Sequence, residues 1–136
     1  MPEALSPDDA VRLVSVEEDS SAGIRDRAIF ELAYSCGLRV SELTGLDIDS
    51  IDMRSGEVRV LGKGSKTRIV PVGKPAIAAV KAWLPERAAR ARPAERALFV
   101  GRSGARLSPR EVQRRIKRCA AAAGLDVDVH PHMLRH

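Results

Sequence analysis

The apolar positions along this chain change period twice, from helical to alternating and back to helical. The opening LSPDDAVRLV carries a helix-start signal, with Ser6 as cap, Pro7 at the first helical position and Asp8 and Asp9 at the positive end of the dipole. That helix is expected to end near EEDSSAG. A second helix is predicted from about Ile24 to Cys36. There Ile24, Ala28, Leu32 and Cys36 fall four apart with Ile29 and Ala33 beside them, and Gly37 closes the helix as a C-cap. LRVSELTGL restarts as a short helix with Val40, Leu43 and Leu46 on one side.

The period then drops to two. Val58 and Val60 alternate with Glu57, Arg59 and Leu61, and Thr67 to Val72 is again rich in β-branched residues. RSG supplies a turn and GKGSK a hairpin tip, and Pro71 places the last strand at a sheet edge. KPAIAAVKAWLPERAARA returns to helix with Ile77, Val80 and Leu84 as its expected buried stripe, and Pro85 is expected to interrupt it or mark a new turn. ALFVGRSGARL reads as a short extended segment and a loop. SPREVQRRIKRCAAAAG reads as a helix capped by Ser108, started by Pro109 and stopped by Gly124. Its apolar face is Val112, Ile116, Cys119, Ala120 and Ala123, and Pro131 opens a last helix at PHMLRH. The expected class is α+β, mainly α, with a small antiparallel three-stranded sheet. No repeat and no long linker divides residues 1–136, so one domain is expected.

Composition narrows this picture. Apolar residues make up 44% of the chain and charged residues 30%, a globular balance, while aromatics are only 3%, so an aliphatic core is expected. The net charge is +5, and arginine concentrates in the second half. A basic domain fits a polyanionic partner, nucleic acid first, or else an ordinary solvated basic surface. Cys36 and Cys119 lie far apart on predicted helices, form neither a metal pair nor a disulfide framework, and read as small core hydrophobes. No apolar run approaches the roughly 18 residues that span a membrane, and the acidic start MPEALSPDDA is unlike a signal peptide. A cytoplasmic location fits.

Four stretches could carry chemistry. In CGLRVSEL, Arg39 follows a helix-ending glycine and stands at a helix entrance, a setting suited to a phosphate. The plain alternative is that it pairs with Glu42 or another surface acid. In GKGSKTR, glycines flank Lys63 at the hairpin tip with Lys66 and Arg68 nearby. The spacing is not that of a Walker P-loop, so the stretch reaches a DNA groove or phosphate, or is a solvated basic hairpin. SPREVQRRIKR presents Arg114, Arg115, Lys117 and Arg118, which suit a phosphate backbone or a solvated face. The fourth stretch, VHPHMLRH, holds all three histidines of the chain. His132 and Arg135 are three apart and share a helix face. Neither HExxH nor partnering cysteines accompany them, so no metal is expected, and a His–Arg face suits binding a phosphodiester and moving a proton at it.

Taken in order, GLRVSEL, LDIDSIDMRSGEVRVLGKGSKTRIVPVG, LSPREVQRRIKRCAAAAGL and HPHMLRH resemble the catalytic domain of tyrosine recombinases, of the phage-integrase and Xer type, over nearly the whole chain. The resemblance implies that Arg39 is the first catalytic arginine and that Lys63 is the hairpin lysine serving as general acid toward the leaving 5′ oxygen. It makes His132 and Arg135 the H-x-x-R pair and Glu42 the acid that supports Arg39. It implies DNA cleavage and rejoining through a 3′-phosphotyrosine, with no metal or nucleotide cofactor. The implied partners are a double-stranded recombination site and other recombinase subunits in a tetrameric synapse, with no membrane. Lys66, Arg68, Arg114, Arg115, Lys117 and Arg118 would contact DNA.

The chain departs from the family pattern at its end. The family's nucleophilic tyrosine follows the H-x-x-R arginine, whereas the sole tyrosine here is Tyr34, which reads as a packing residue. The expectation is therefore a truncated catalytic domain without the DNA-clamp domain or the tyrosine-bearing helices. It would be inactive alone and prone to self-association through uncovered apolar surface. The rival readings are a non-catalytic DNA-binding or regulatory module and a plain interaction domain.

Overall fold

The computed structural model describes residues 20–62, 64 and 66–122, with the side chains of 119–122 excepted. The helices predicted at LSPDDAVRLV and PHMLRH, the stop at Gly124, and Lys63, His132 and Arg135 lie outside the described residues.

Helix α1 (Ser21–Cys36) begins earlier than the predicted Ile24 because SSAG supplies the cap. The Ser20 hydroxyl accepts the Gly23 amide at 2.8 Å. It ends as predicted at Gly37, where φ of 64° needs no Cβ penalty and the N–H donates to the Ala33 carbonyl. Burial is not confined to one face. Ala28, Ile29, Phe30, Leu32 and Ala33 are buried together with Arg25 and Asp26, while Ile24 and Cys36 are only partly covered. The helix runs through the middle of the molecule, so an amphipathic stripe understates it. Cys36 is thus a half-covered residue and not a core one, and burial pushes its thiol above the ordinary range. Tyr34 is exposed rather than packed.

Helix α2 (Val40–Thr44) buries Val40 and Leu43 as expected. A single 3-10 turn (Ile48–Ser50) leads into the sheet of β1 (Ile51–Asp52), β2 (Glu57–Leu61) and β3 (Thr67–Pro71). The three strands are antiparallel in the order β1-β2-β3, so Pro71 sits on an edge strand as predicted. Val58 and Val60 face inward, and Glu57, Arg59 and Leu61 face solvent. The RSG turn closes with Gly56 N–H donating to the Asp52 carbonyl at 2.9 Å. Amides of Arg54 and Ser55 donate to Asp52 Oδ1 and hold its carboxyl below the usual range.

Helix α3 (Lys74–Arg90) packs on α1 and continues through Pro85, contrary to the expected break. Proline removes one N–H, which leaves the Lys81 carbonyl without its helical partner. Both residues are exposed, so water can serve that carbonyl. The buried stripe is also rotated from the predicted one: Ala76, Ala79, Val80, Trp83 and Arg87 are covered, while Ile77 and Leu84 are only partly so. Trp83 and Phe99 are the two largest fully buried side chains, with ring centroids 6.5 Å apart. The core is aliphatic around an aromatic centre, a correction to the purely aliphatic expectation. The aromatics are few, but Phe30, Trp83 and Phe99 are all inside.

After α3 the chain bends at Leu98 and Phe99 between two isolated bridges, Ala97 with Asp47 and Val100 with Arg106, in place of the short extended segment expected there. Gly104 (φ +83°) allows this loop to press on the end of α3: a Cβ there would stand 2.5 Å from the Arg90 carbonyl oxygen. Helix α4 (Pro109–Ala122) starts on a reciprocal capping pair, with Glu111 N–H to Ser108 Oγ and Ser108 N–H to Glu111 Oε1. Val112 and Ile116 face the core as predicted. Among the described residues no helix is long and apolar enough to cross a membrane.

Candidate active site

Arg39 precedes the first turn of α2, directly after the Gly37–Leu38 corner. Leu38 is fully buried and anchors the corner, while Arg39 is exposed. Its own amide donates to Glu42 Oε1 at 2.9 Å, which closes the start of α2. The far end of α2 is held by Arg106. One nitrogen of its guanidinium donates to the carbonyls of Thr44 at 2.7 Å and Leu46 at 3.0 Å, and the other pairs with Asp47. The five-residue helix is therefore closed at its start by its own Glu42 and held at its far end by Arg106 from outside it.

Glu42 does more than the sequence indicates. Arg68 of β3 donates to Glu42 Oε2 at 2.8 Å through Nη1 and to Oε1 at 3.3 Å through Nη2. That bond raises the Arg68 guanidinium above its ordinary value. Arg39, Ser41, Glu42, Leu61 and Gly62 together line a cleft of about 370 Å³. One wall is the start of α2 and the other is the root of the hairpin, where Gly62 N–H donates to the Lys66 carbonyl at 2.8 Å. Lys63 follows Gly62 in the chain.

The basic residues expected on α4 divide into two kinds. Arg115 turns inward and donates through Nε to Asp26 Oδ2 at 2.7 Å, and Arg25 donates to Oδ1 of the same carboxylate at 3.0 and 3.1 Å. Asp26 is 2% exposed, so this triad joins α1 to α4 inside the fold. Arg114 and Arg118 instead rim a cavity of about 410 Å³, together with Arg90 from the end of α3 and Arg102 from the following loop. Lys117 and Lys66 are exposed. Local sequence gives no signal for Arg90 and Arg102, because they join the cluster only through the packing of α3 and the loop against α4.

A sequence model described as the Phage integrase family matches residues 3–136. The chain belongs to the phage integrase family. This phage-integrase-family domain is 52% identical over 136 residues to the tyrosine recombinase XerC of Xanthomonas axonopodis pv. citri (strain 306), covering 100% of this chain and 44% of that protein. It is 51% identical over 138 residues to tyrosine recombinase XerC of Pseudomonas fluorescens, covering 45% of it. The chain thus spans less than half the length of these relatives. Among solved structures, that of XerA recombinase matches with a TM-score of 0.87 and 30% identity over 100% of this chain and 48% of that one. The XerH site-specific recombinase bound to its difH substrate in a pre-cleavage complex has the same fold, with a TM-score of 0.81 at 24% identity over 100% of this chain and 41% of that one. The mainly helical domain with a small antiparallel sheet is the fold of this family's catalytic domains.

Proposed function

We propose that this domain forms part of the catalytic pocket of a site-specific DNA recombinase of the tyrosine type, acting in the cytoplasm on double-stranded DNA together with other recombinase subunits. The observation that carries this reading is Arg39. Its side chain is exposed at the mouth of a cleft, its backbone is tied to Glu42, and the hairpin bearing Lys63 forms the opposite wall. Transesterification of a phosphodiester builds negative charge on two nonbridging oxygens, which fixed guanidinium groups stabilise without a metal ion. Arg39 supplies one such group and Arg135 a second, with His132 donating to the same phosphate. Lys63 gives a proton to the leaving 5′ oxygen, which would otherwise depart as an alkoxide. Tyrosine attack conserves the bond energy as a phosphotyrosine that the freed 5′ hydroxyl can reverse.

The reading assigns the nucleophile to none of these 136 residues, because the only tyrosine is Tyr34, exposed on α1 ahead of Arg39. The 136-residue polypeptide is therefore expected to form no covalent complex with a nicked suicide site. A protein–DNA adduct that survives a denaturing gel would overturn that assignment.

The same polypeptide is expected to bind duplex DNA in a salt-sensitive way. The rim of Arg90, Arg102, Arg114 and Arg118 offers phosphate contacts away from the Arg39 cleft. Each phosphate contact contributes about −0.9 to the slope of log K against log salt. Replacing both Arg102 and Arg118 with alanine should flatten that slope by about 2, with no change in sequence preference. An unchanged slope in a fluorescence-anisotropy titration counts against this rim as a DNA contact.

A further inference from the structure

We propose that Arg68 is a positioning residue: it holds Glu42 against the start of α2 and so ties the hairpin that carries Lys63 to the turn that carries Arg39, instead of holding a DNA phosphate. The inference rests on the recombinase reading above for what the tie is used for.

Three observations converge on it. The first is register. Arg68 lies directly opposite Val60, and residues opposite one another in an antiparallel pair share a face. Val60 is fully buried, so Arg68 starts on the inward side of the sheet, whereas Ile69 takes the outward side at 64% exposed. The second is geometry. Glu42 accepts both Arg68 nitrogens, and its Oε1 also accepts the Arg39 amide, so one carboxylate joins β3 to α2 across 26 residues of chain. Its side chain is 12% exposed against 45% for Arg68, which makes it the inner partner. The third is Gly62. A Cβ there would meet Arg68 Nη1 at 3.4 Å and Glu42 Oε2 at 3.7 Å, so the hairpin root lies directly against the pair.

A two-toothed, charge-assisted pair is specific to arginine and is not reproduced by lysine, which offers a compact point charge. A phosphate approaching Arg68 would have to displace Glu42. Lys66, by contrast, is exposed and has no ion pair among the described residues. Arg68 therefore differs from its neighbour in the hairpin despite carrying the same charge.

The experiment uses the 136-residue polypeptide and a short DNA duplex, with two readouts besides affinity. These are NMR exchange of the Arg39 amide and DNA protection of the Lys63 amine from acetic anhydride, read by mass spectrometry. Arg68→Lys keeps the charge and loses the fork. It should leave the salt slope unchanged, speed Arg39 amide exchange about tenfold, and reduce protection of Lys63 about fivefold while protection of Lys117 stays as it was. Lys66→Ala should flatten the slope by about 0.9 without moving the Arg39 amide. Glu42→Gln should free Arg68 to act on DNA and steepen the slope by about 0.9, a gain that a purely structural pair does not predict. The proposal is overturned if Arg68→Lys leaves both the Arg39 amide and Lys63 protection unmoved, or if Arg68→Ala flattens the slope as much as Lys66→Ala. If the polypeptide binds no duplex, the recombinase reading is what has failed, and Arg39 exchange in Arg68→Lys alone decides whether the tie exists.

Discussion

Trp83→Ala is expected to lower stability by about 4 kcal/mol and the thermal midpoint by about 12 °C. Two losses combine. The indole is 1% exposed and stacks on Phe99, so truncation removes the largest apolar side chain of the core and leaves a cavity between α3 and the segment that carries Phe99. Its Nε1–H also donates to the Leu98 carbonyl at 2.8 Å, and alanine leaves that buried oxygen without its donor. Trp83→Phe separates the two effects, because it keeps much of the volume but not the donor, and should cost about half as much. The measurement is urea unfolding followed by far-UV circular dichroism, since the substitution removes the chain's one tryptophan. A midpoint for Trp83→Ala within the error of the parent would mean that the core does not close on this residue.

The second large effect is expected at Asp26. Asp26→Ala should cost about 3 kcal/mol, because it strips the shared partner from two guanidinium groups that the fold already covers. Arg25 is 7% exposed and its remaining nitrogen reaches the Val100 carbonyl at 3.3 Å, so it cannot swing out to water without leaving a gap. Arg115 has 17% side-chain exposure. Replacing the whole triad with Met, Leu and Met at positions 25, 26 and 115 should instead fall within about 1 kcal/mol of the parent, since apolar replacement removes the charges along with their partner. Denaturant midpoints of the two variants give the answer. Equal losses in both would show that packing volume, and not the uncompensated charge, sets the cost.

How far the sequence reveals the structure depends on whether a feature is local. Gly37, Ser108, the valine alternation of β2 and the edge position of Pro71 are decided by residues within a few positions, and all stand where the sequence places them. Pro85 and the rotated stripe of α3 are not local. Whether water can serve the carbonyl that a proline orphans depends on its exposure, and which side of α3 is covered depends on where α1 and Phe99 lie. The same holds for the site. Arg39 and Glu42 are legible as a helix entrance with an acid three residues on. The partners that decide their geometry, Arg68 and Arg106, are brought in from distant stretches. Arg115 shows the opposite failing, since a run of charges on one helix gives no indication of which member turns inward.

The Asp26 triad has a consequence for the order in which the domain can be completed during synthesis. Asp26 and Arg115 are 89 residues apart, and Arg25 spans 75 residues to Val100. Loop closure over such distances is unfavourable until many contacts form together. Arg25 and Asp26 are neighbours and can pair as soon as both are made, whereas the second carboxylate oxygen of Asp26 meets its Arg115 partner only after residue 115 has been added. The triad is therefore a contact that α1 can complete only once α4 is present.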